Sequence, residues 1–503
     1  MELLNNLAIG FSTSLSLINL TYCFLGVLLG TLIGVLPGLG AVATIAMLLP
    51  ATFSLPSVSA LIMLAGIYYG AQYGGSTTAI LVNLPGESSS VVTALDGYKM
   101  ACKGRAGAAL TTAAVGSFVA GSAATLLIAM FAGPLAELAL AFGPPEYFSL
   151  MVLGLVASVV LAHGSLLKAI CMIIMGLLLG LVGTDVSTGL SRFTFDQPEI
   201  AEGISFVALA MGLFGLGEIV RNLEHEADMS RPKGIARVGS LMPTREEIRR
   251  MIAPIFRGTV LGSLLGILPG GGAMLASFAS YSLEKKLSSH PEEFGEGAIE
   301  GVAGPESANN AGAQTSFIPM LTLGIPSNAV MALMAGAMIM QGIQPGPAVM
   351  SEQPQLFWGM VTSMWIGNIM LVVLNLPLIG IWVRLLAVPY HLLFPVIVVI
   401  CSIGAFSVTN SVFDIYLMAG FGVLGYVCYK LECEPAPLLL GFILGPMMEE
   451  YLRRAMLLAR GDFTVFATRP ISATLLLISA VTMALVVLPA FRKTREVAFH
   501  EED

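Results

Sequence analysis

The feature that constrains this chain most is an internal repeat with an offset of 232 residues. Gly26–Gly40 reads GVLLGTLIGVLPGLG and Gly258–Gly272 reads GTVLGSLLGILPGGG, so nine of the fifteen positions are identical. A second parallel connects Gly70–Thr78, GAQYGGSTT, with Ala308–Ser316, ANNAGAQTS. Weak internal symmetry of this kind indicates that one structural unit occurs twice in the chain.

The solvent of both units is predicted to be lipid. Only 11% of the residues are charged and 56% are hydrophobic, whereas soluble proteins carry roughly 25% charged residues. Backbone groups in hydrocarbon must bond within their own segment, so long apolar runs predict helices. We therefore expect an all-α integral membrane protein with about 11 to 14 hydrophobic segments. Clear apolar runs occur at Leu20–Leu36, Ala108–Phe131, Phe148–Ala162, Phe357–Leu376 and Ile471–Pro489.

The repeat divides the chain into four parts. We predict transmembrane repeat 1 at 1–220, a cytoplasmic connecting loop at 221–257, transmembrane repeat 2 at 258–460, and a final transmembrane helix with a cytoplasmic tail at 461–503. The connecting loop holds eight of the 24 Lys and Arg residues. Cytoplasmic loops of membrane proteins are enriched in these residues, which predicts the side on which the loop lies.

Loop charges favour two repeats of inverted topology. The loop Gly97–Gly107 carries three basic residues, whereas its counterpart Gly336–Pro354 has none and contains Glu352. Inversion places matching loops on opposite sides of the membrane, so this contrast is expected. Arg453 and Arg454 fit the arrangement poorly, because inversion would place them outside. Inverted repeats are typical of secondary transporters, whose sites lie at the repeat interface.

Each repeat has a first Gly/Pro interruption, at Leu36–Gly40 and Leu268–Gly272. Proline removes an amide donor and glycine permits unusual backbone angles, so helices end there. About 12 apolar residues flank the second interruption on each side, which is too short for two membrane crossings. We predict a re-entrant hairpin in each repeat; the alternative is a kinked ordinary helix. The predicted hairpin tips are Gly38, Gly40, Gly270, Gly271 and Gly272.

A second interruption occurs in each repeat, at Asn83–Ser90 and Gly324–Asn328. Proline followed by Ser or Asn is typical of a helix start, and free N–H groups at a helix start bind anions. Two such half-helix starts predict a small-anion site, although single polar residues at membrane depth also serve as contacts between helices. The candidate substrate-binding residues are Asn83, Pro85, Gly86, Ser88, Ser89, Ser90, Gly324, Pro326, Ser327 and Asn328, together with Thr77, Asn309 and Asn310.

Two carboxylates are candidates for ion coupling. Glu87 follows Pro85 in the first turn of a predicted half-helix, where it either binds a cation or caps the helix. Glu306 follows Gly304-Pro305 and is either a coupling carboxylate or a loop residue.

Several function classes lack their motifs. No phosphate-binding Gly-rich loop, nucleophile elbow or His-Glu-x-x-His motif occurs, so no catalytic residues are assigned. The six cysteines form no CxxC pair, so no metal site is assigned, and no basic stripe predicts nucleic-acid binding. An intramembrane enzyme acting on a lipid or small anion is the alternative to a transporter, followed by a channel.

Four stretches carry a resemblance to a known family. They are LIGVLPGLG, YYGAQYGGSTTAILVNLPGESSSVVTALDGYKMA, GPESANNA and IPMLTLGIPSNAVMALMAGAM. They resemble the large membrane subunit of the tripartite tricarboxylate transporters, over roughly residues 15 to 490. The chain departs from the expected pattern at Ser327, where the resemblance implies glycine.

The resemblance implies a multi-pass protein of the bacterial inner membrane. It implies two partners, a small membrane subunit of about four helices and a periplasmic solute-binding protein. It also implies import of tri- or dicarboxylates such as citrate, driven by a Na⁺ or H⁺ gradient and without a cofactor. An elevator-like motion follows only by analogy with other two-hairpin transporters.

Overall fold

The computed structural model describes residues 2–36, 39–139, 141–161, 165–185, 188–226, 238–268, 272–346, 348–386 and 390–487. The predicted hairpin tips Gly38, Gly270 and Gly271 lie outside the described residues, as does the predicted cytoplasmic tail beyond residue 487. Most described residues are helical, which confirms the predicted all-α class.

The described residues of the first half form ten α-helices. They are α1 Glu2–Ser14, α2 Leu17–Gly34, α3 Ala41–Phe53, α4 Ser57–Val82, α5 Val91–Cys102, α6 Ala106–Ala139, α7 Pro144–Leu161, α8 Leu166–Gly180, α9 Phe206–Ala210 and α10 Gly217–Glu226. A π-helical segment, Met211–Leu216, joins α9 to α10, and Gly183–Thr184 (β1) pairs antiparallel with Ser191–Arg192 (β2).

The described residues of the second half form thirteen α-helices. Its helices are α11 Arg245–Gly266, α12 Gly272–Leu287, α13 Glu300–Thr315, α14 Phe317–Leu323, α15 Ala329–Met340, α16 Ala348–Glu352, α17 Pro354–Asn375, α18 Ile379–Leu385, α19 Tyr390–Thr409, α20 Val412–Lys430, α21 Ala436–Leu458, α22 Val465–Thr468 and α23 Pro470–Val487. In each half, two helices that flank a Gly-rich segment precede a helix broken near its middle, and further long helices follow.

Five described helical segments are long and apolar enough to cross a membrane, and six shorter apolar helices accompany them. The long segments are Leu17–Gly34, Ala106–Pro134, Phe206–Glu224, Pro354–Asn375 and Val412–Lys430. Large apolar side chains such as Leu264, Val423 and Leu477 are more than 60% exposed. An exterior of this kind requires an apolar solvent, which agrees with a multi-pass membrane protein.

Glycines set the helix spacing at the start of each repeat. A Cβ on Gly30 of α2 would lie 2.3 Å from the Ile67 carbonyl oxygen of α4. In the second half, a Cβ on Gly262 of α11 would lie 2.2 Å from the Ala308 carbonyl oxygen of α13. Small residues at four-residue spacing permit this backbone contact between membrane helices. The most similar part of the repeat thus encodes the same helix–helix contact twice.

Ion pairs connect α11 to α12 and to the start of α13. The Arg257 guanidinium pairs with Glu284, whose side chain is only 1% exposed, and Arg257 Nε donates to its Oε1 at 2.9 Å. Arg250 bridges Glu293 and Glu300. The hydrogen bond from Arg250 holds the pKa of the Glu293 carboxyl below its ordinary value.

Candidate functional site

The first break lies between α4 and α5. Helix α4 ends at Val82, and Asn83 takes a left-handed conformation with φ of 57°. The chain then returns along α4, because a Cβ on Gly86 would lie 2.6 Å from the Gly75 Cα and 2.7 Å from the Gly34 carbonyl oxygen. Gly86 therefore sits where the break, α4 and the end of α2 meet.

Helix α5 begins with a 3₁₀ turn at Ser88–Ser90. Glu87 and Ser90 form a reciprocal capping box, and the Ser90 hydroxyl donates to the Glu87 carbonyl at 2.8 Å. Ser89 is buried and donates to Gln72 Oε1 at 3.2 Å, whereas Ser88 is exposed. Pro85 is half-buried and Asn83 is exposed at the edge of this site. Ser89 and Ser90 are therefore the buried members of the serine run, and Ser89 is the one that contacts α4 through its side chain.

The second break lies between α14 and α15. Gly324 ends α14 with φ of 76°, and Asn328 begins α15 by accepting a hydrogen bond from the Met331 amide at 2.9 Å. Ser327 is buried, and its hydroxyl donates to the Ser316 carbonyl at 3.4 Å. Pro326 is also buried. The chain is therefore broken at both sequence interruptions, and the helix before each break, α4 or α14, ends at a residue in the left-handed conformation.

The described ends of the Gly-rich segments reach these breaks. A Cβ on Gly40 would lie 3.6 Å from the Gly86 carbonyl oxygen, and one on Gly272 would lie 3.3 Å from Asn328 Nδ2. The Ser277 hydroxyl of α12 donates to the Ser89 carbonyl at 2.8 Å. The start of α12, in the second half, thus contacts both breaks.

The outer ends of α2 and α3 lie beside the start of α4. The Ser59 hydroxyl donates to Asn19 Oδ1 of α2 at 2.6 Å, and α3 ends at Phe53, four residues before α4 begins. A continuous kinked helix over this range would separate those ends by about 55 Å at 1.5 Å per residue. The two helices therefore fold back on each other.

Glu306 lies inside helix α13, so its interpretation as a loop residue was wrong. Its side chain is buried, and Ser76 donates to its two carboxylate oxygens at 2.8 and 2.9 Å. Thr93 donates to Oε1, and Ser117 donates to Oε2 at 3.4 Å. Helices α4, α5 and α6 of the first half thus surround a carboxylate of the second half.

The predicted asparagines extend this network. Asn310 Nδ2 donates to the Ser117 hydroxyl at 2.7 Å and to the Glu306 carbonyl at 3.0 Å. Asn309 Nδ2 is buried and, within the described part of the chain, has no hydrogen-bond partner. Thr77 donates to the Tyr73 carbonyl at 3.1 Å.

Glu87 belongs to a neighbouring polar group. Gln72 Nε2 donates to Glu87 Oε1 at 3.0 Å, while Glu87 Oε2 is buried without a partner among the described residues. Neither Glu87 nor Glu306 forms an ion pair with a described Lys, Arg or His. The site holds two buried carboxylates and no basic partner for either in this part of the chain.

The sequence did not single out Thr93 or Ser117, although both contact Glu306. Each is one hydroxyl in an apolar helix, a pattern that usually reflects contacts between helices. The one available indication was the spacing of Ser89 and Thr93, which places both on one face of α5.

These features define a polytopic, all-helical membrane protein with a polar site enclosed between two broken helices. The model of the family described as Tripartite tricarboxylate transporter TctA family matches residues 20–440. The chain belongs to this family, which is a family of transporters and not of enzymes. The resemblance found in the sequence is thereby confirmed.

Two relatives from Agrobacterium vitis are similar to the chain. One, described as "Uncharacterized 52.8 kDa protein in TAR-I ttuC' 3'region", is 62% identical over 503 residues, covering 100% of both chains. Another, described as "Uncharacterized protein in TAR-II ttuC' 3'region", is 63% identical over 242 residues, covering 48% of this chain and 100% of its own. No solved structure matches.

Proposed function

We propose that the chain is the large permease subunit of a binding-protein-dependent secondary transporter. It imports a citrate-like tri- or dicarboxylate with a Na⁺ or H⁺ gradient. The observation that carries this proposal is that the two helix starts contact the described ends of the two Gly-rich segments, at Gly40 and Gly272, in a chain of the TctA family. The family excludes the enzyme alternative.

Anion binding rests on the starts of α5 and α15. Helix starts present free N–H groups and the positive end of the helix dipole, so they bind carboxylates without a buried lysine. Ser89 at one start is buried, and Asn328 at the other lies beside the first residue of α12. We place the carboxylates of the cargo between these starts and the Gly-rich tips.

Inverted repeats are supported by the contacts at the helix ends. Gln341, after α15, donates to the Thr52 and Phe53 carbonyls at the outer end of α3. Lys103, after α5, donates to the Glu296 carbonyl between α12 and α13. The end of α3 therefore lies beside the end of α15, and the end of α12 lies near the end of α5. Two hairpins that enter the membrane from opposite sides would have this arrangement.

The arginines that fit inversion poorly are both paired. Arg453 pairs with Asp185 and Glu449, and Arg454 pairs with Glu450. The positive-inside rule counts Lys and Arg and gives acidic neighbours little weight, so this pairing does not remove the discrepancy. Arg453 and Arg454 therefore still count against inversion, whereas the contacts at the helix ends support it.

We assign ion coupling to the buried carboxylates Glu87 and Glu306. A small membrane subunit and a periplasmic solute-binding protein complete the proposed transporter in the bacterial inner membrane. The family name, with its tripartite assembly and tricarboxylate cargo, supports these partners and this class of substrate.

Uptake of labelled citrate and other di- and tricarboxylates into proteoliposomes tests the proposal. The vesicles contain the chain and its small partner, with or without the binding protein, under Na⁺ or H⁺ gradients. We expect gradient-driven accumulation that requires the binding protein. Absence of accumulation of every carboxylate by well-folded protein under both gradients would refute it.

A double variant tests the anion site. Ser88→Ala with Ser89→Ala removes the hydroxyls at the start of α5 and should weaken uptake without loss of expression. The matched control is Ser402→Ala with Ser407→Ala, because both hydroxyls bond only to carbonyls of their own helix α19. Unchanged uptake kinetics in the first pair would contradict the assignment of the α5 start.

A further inference from the structure

A small cavity is lined in part by Glu306. Its volume of about 10 Å³ holds one sphere of the size of a water molecule. The residues that line it are Tyr73, Ser76, Thr77, Leu110, Ala113, Ala114, Ser117, Glu306, Asn375 and Leu376. The polar lining comes from α4, α6, α13 and the last residue of α17, so both halves of the chain enclose it.

Asn375 provides an independent observation. Its side chain is 4% exposed, and Nδ2 donates to the Leu371 carbonyl at 2.9 Å. That bond fixes the orientation of the amide, because a flipped amide would bring two carbonyl oxygens together. Its Oδ1 is buried and has no partner among the described residues. A buried acceptor left in this state is costly, so it indicates a missing donor or cation.

The polar side chains of the lining end in oxygen, apart from Asn375 Nδ2, which is bonded to the Leu371 carbonyl. The hydroxyls of Ser76 and Ser117 donate to Glu306, and Thr77 donates to the Tyr73 carbonyl, so these oxygens can still accept. Ser117 already accepts one bond from Asn310 and keeps one lone pair. Sets of carboxylate, carbonyl and hydroxyl oxygens suit hard cations. The single carboxylate in the lining balances one positive charge.

The unpartnered Asn375 oxygen favours a metal cation over a proton. Ser76, Thr93 and Ser117 lie within hydrogen-bond distance of the Glu306 carboxyl group, and hydroxyls can serve this group in its ionised or its protonated form. A proton on Glu306 would not by itself give Asn375 Oδ1 a partner, whereas a cation in the cavity would contact both groups.

We propose that this cavity binds a dehydrated monovalent cation of the size of Na⁺. Its ligands are Glu306, Asn375 Oδ1 and the hydroxyl oxygens of Ser76, Thr77 and Ser117. The inference rests on the proposed transport function and deepens it, since it names the ligands of a metal ion at Glu306, one of the two carboxylates assigned to ion coupling. Loading the cavity neutralises Glu306 and holds α17 of the second half against α4 and α6 of the first.

Equilibrium binding of radiolabelled Na⁺ to the purified full chain, without carboxylate or partner proteins, tests this proposal. We expect saturable binding in the wild type and a loss of about tenfold or more in affinity in Asn375→Ala and in Thr77→Val. Asn368→Ala is the matched control, because Asn368 is a buried asparagine of the same helix that does not line the cavity. It should bind Na⁺ like the wild type.

Two results would overturn the cation site. One is wild-type affinity for Na⁺ in both folded variants, and the other is absence of saturable Na⁺ binding in the wild type. The transport proposal has its own test, which is gradient-driven uptake in proteoliposomes. If the wild type shows that uptake but no saturable Na⁺ binding, the cation site has failed and the transport proposal stands. A proton carried by Glu306 would then replace the metal ion.

Discussion

Substitution of Gly86 by alanine tests whether the first break and the end of α2 form one rigid site. The new Cβ would lie 2.7 Å from the Gly34 carbonyl oxygen and 2.6 Å from the Gly75 Cα. Ordinary contacts begin near 3.4 Å, so the Cβ must retreat by about 0.7 Å from the oxygen alone. Both neighbours are backbone atoms of helices, so no side chain can turn away to make room.

The magnitude follows from the cost of excess packing. Inserting one methyl group into a close-packed interior costs typically about 1–3 kcal/mol. The strain is relieved when the break moves away from α2, which displaces the start of α5 from the cargo. A cost near the middle of that range lowers the initial rate of uptake at subsaturating carboxylate by about tenfold or more.

The assay is uptake by the reconstituted transporter, with Gly420→Ala as the matched control. A Cβ on Gly420 of α20 would meet no described atom within 4 Å, so uptake by this variant should stay within about twofold of the wild type. Uptake by Gly86→Ala within that same margin would refute the reasoning. Equal impairment of the two variants would also refute it, because the loss would then not depend on the contact at Gly86.

Three further outcomes are expected. In chemical denaturation, Arg257→Ala should lower the free energy of unfolding by about 3 kcal/mol, because it leaves the Glu284 carboxylate buried and unpaired. Adding Glu284→Gln to this variant should restore most of the lost stability, because the unpaired charge is then removed. Cysteines replacing Lys103 and Glu352, which are both exposed, should be labelled from inside and outside the cell respectively; labelling of both from one side would contradict inversion. Asp96→Asn should lower the thermal midpoint, because one carboxylate oxygen accepts three backbone N–H bonds between α12 and α13; an unchanged midpoint would contradict this role.

The sequence was most informative where local chemistry decides the structure. Both helix breaks follow from Gly, Pro and capping residues within a few positions, and Asn328 caps α15 as that pattern predicts. The four-residue spacing of glycines likewise predicts close helix contacts, because that spacing lies on one helix face. Inverted topology and substrate remain predictions, since they depend on the membrane and on partners.

The position of Glu306 inside a helix could not be predicted from the local sequence. Gly304-Pro305 indicates a loop locally, yet both residues lie within α13, because packed membrane helices tolerate proline when neighbours satisfy the freed backbone groups. Its partner Thr93 is 213 residues away in the sequence, and Ser117 is 189 residues away. Contacts of this separation arise only from the packing of the two halves, which no local pattern encodes.

The glycine contacts also bear on how the two copies have diverged. Of the nine positions that remain identical between Gly26–Gly40 and Gly258–Gly272, five are glycine. At the glycines where the backbones of α2 and α11 contact the neighbouring helices, there is no room for a Cβ atom. Substitution by any larger residue is therefore unfavourable at these positions in both copies. The two copies therefore share a contact distance more closely than a chemistry. With the offset of 238 that aligns Gly70–Thr78 with Ala308–Ser316, the buried carboxylate Glu306 of the second copy corresponds to Tyr68 of the first.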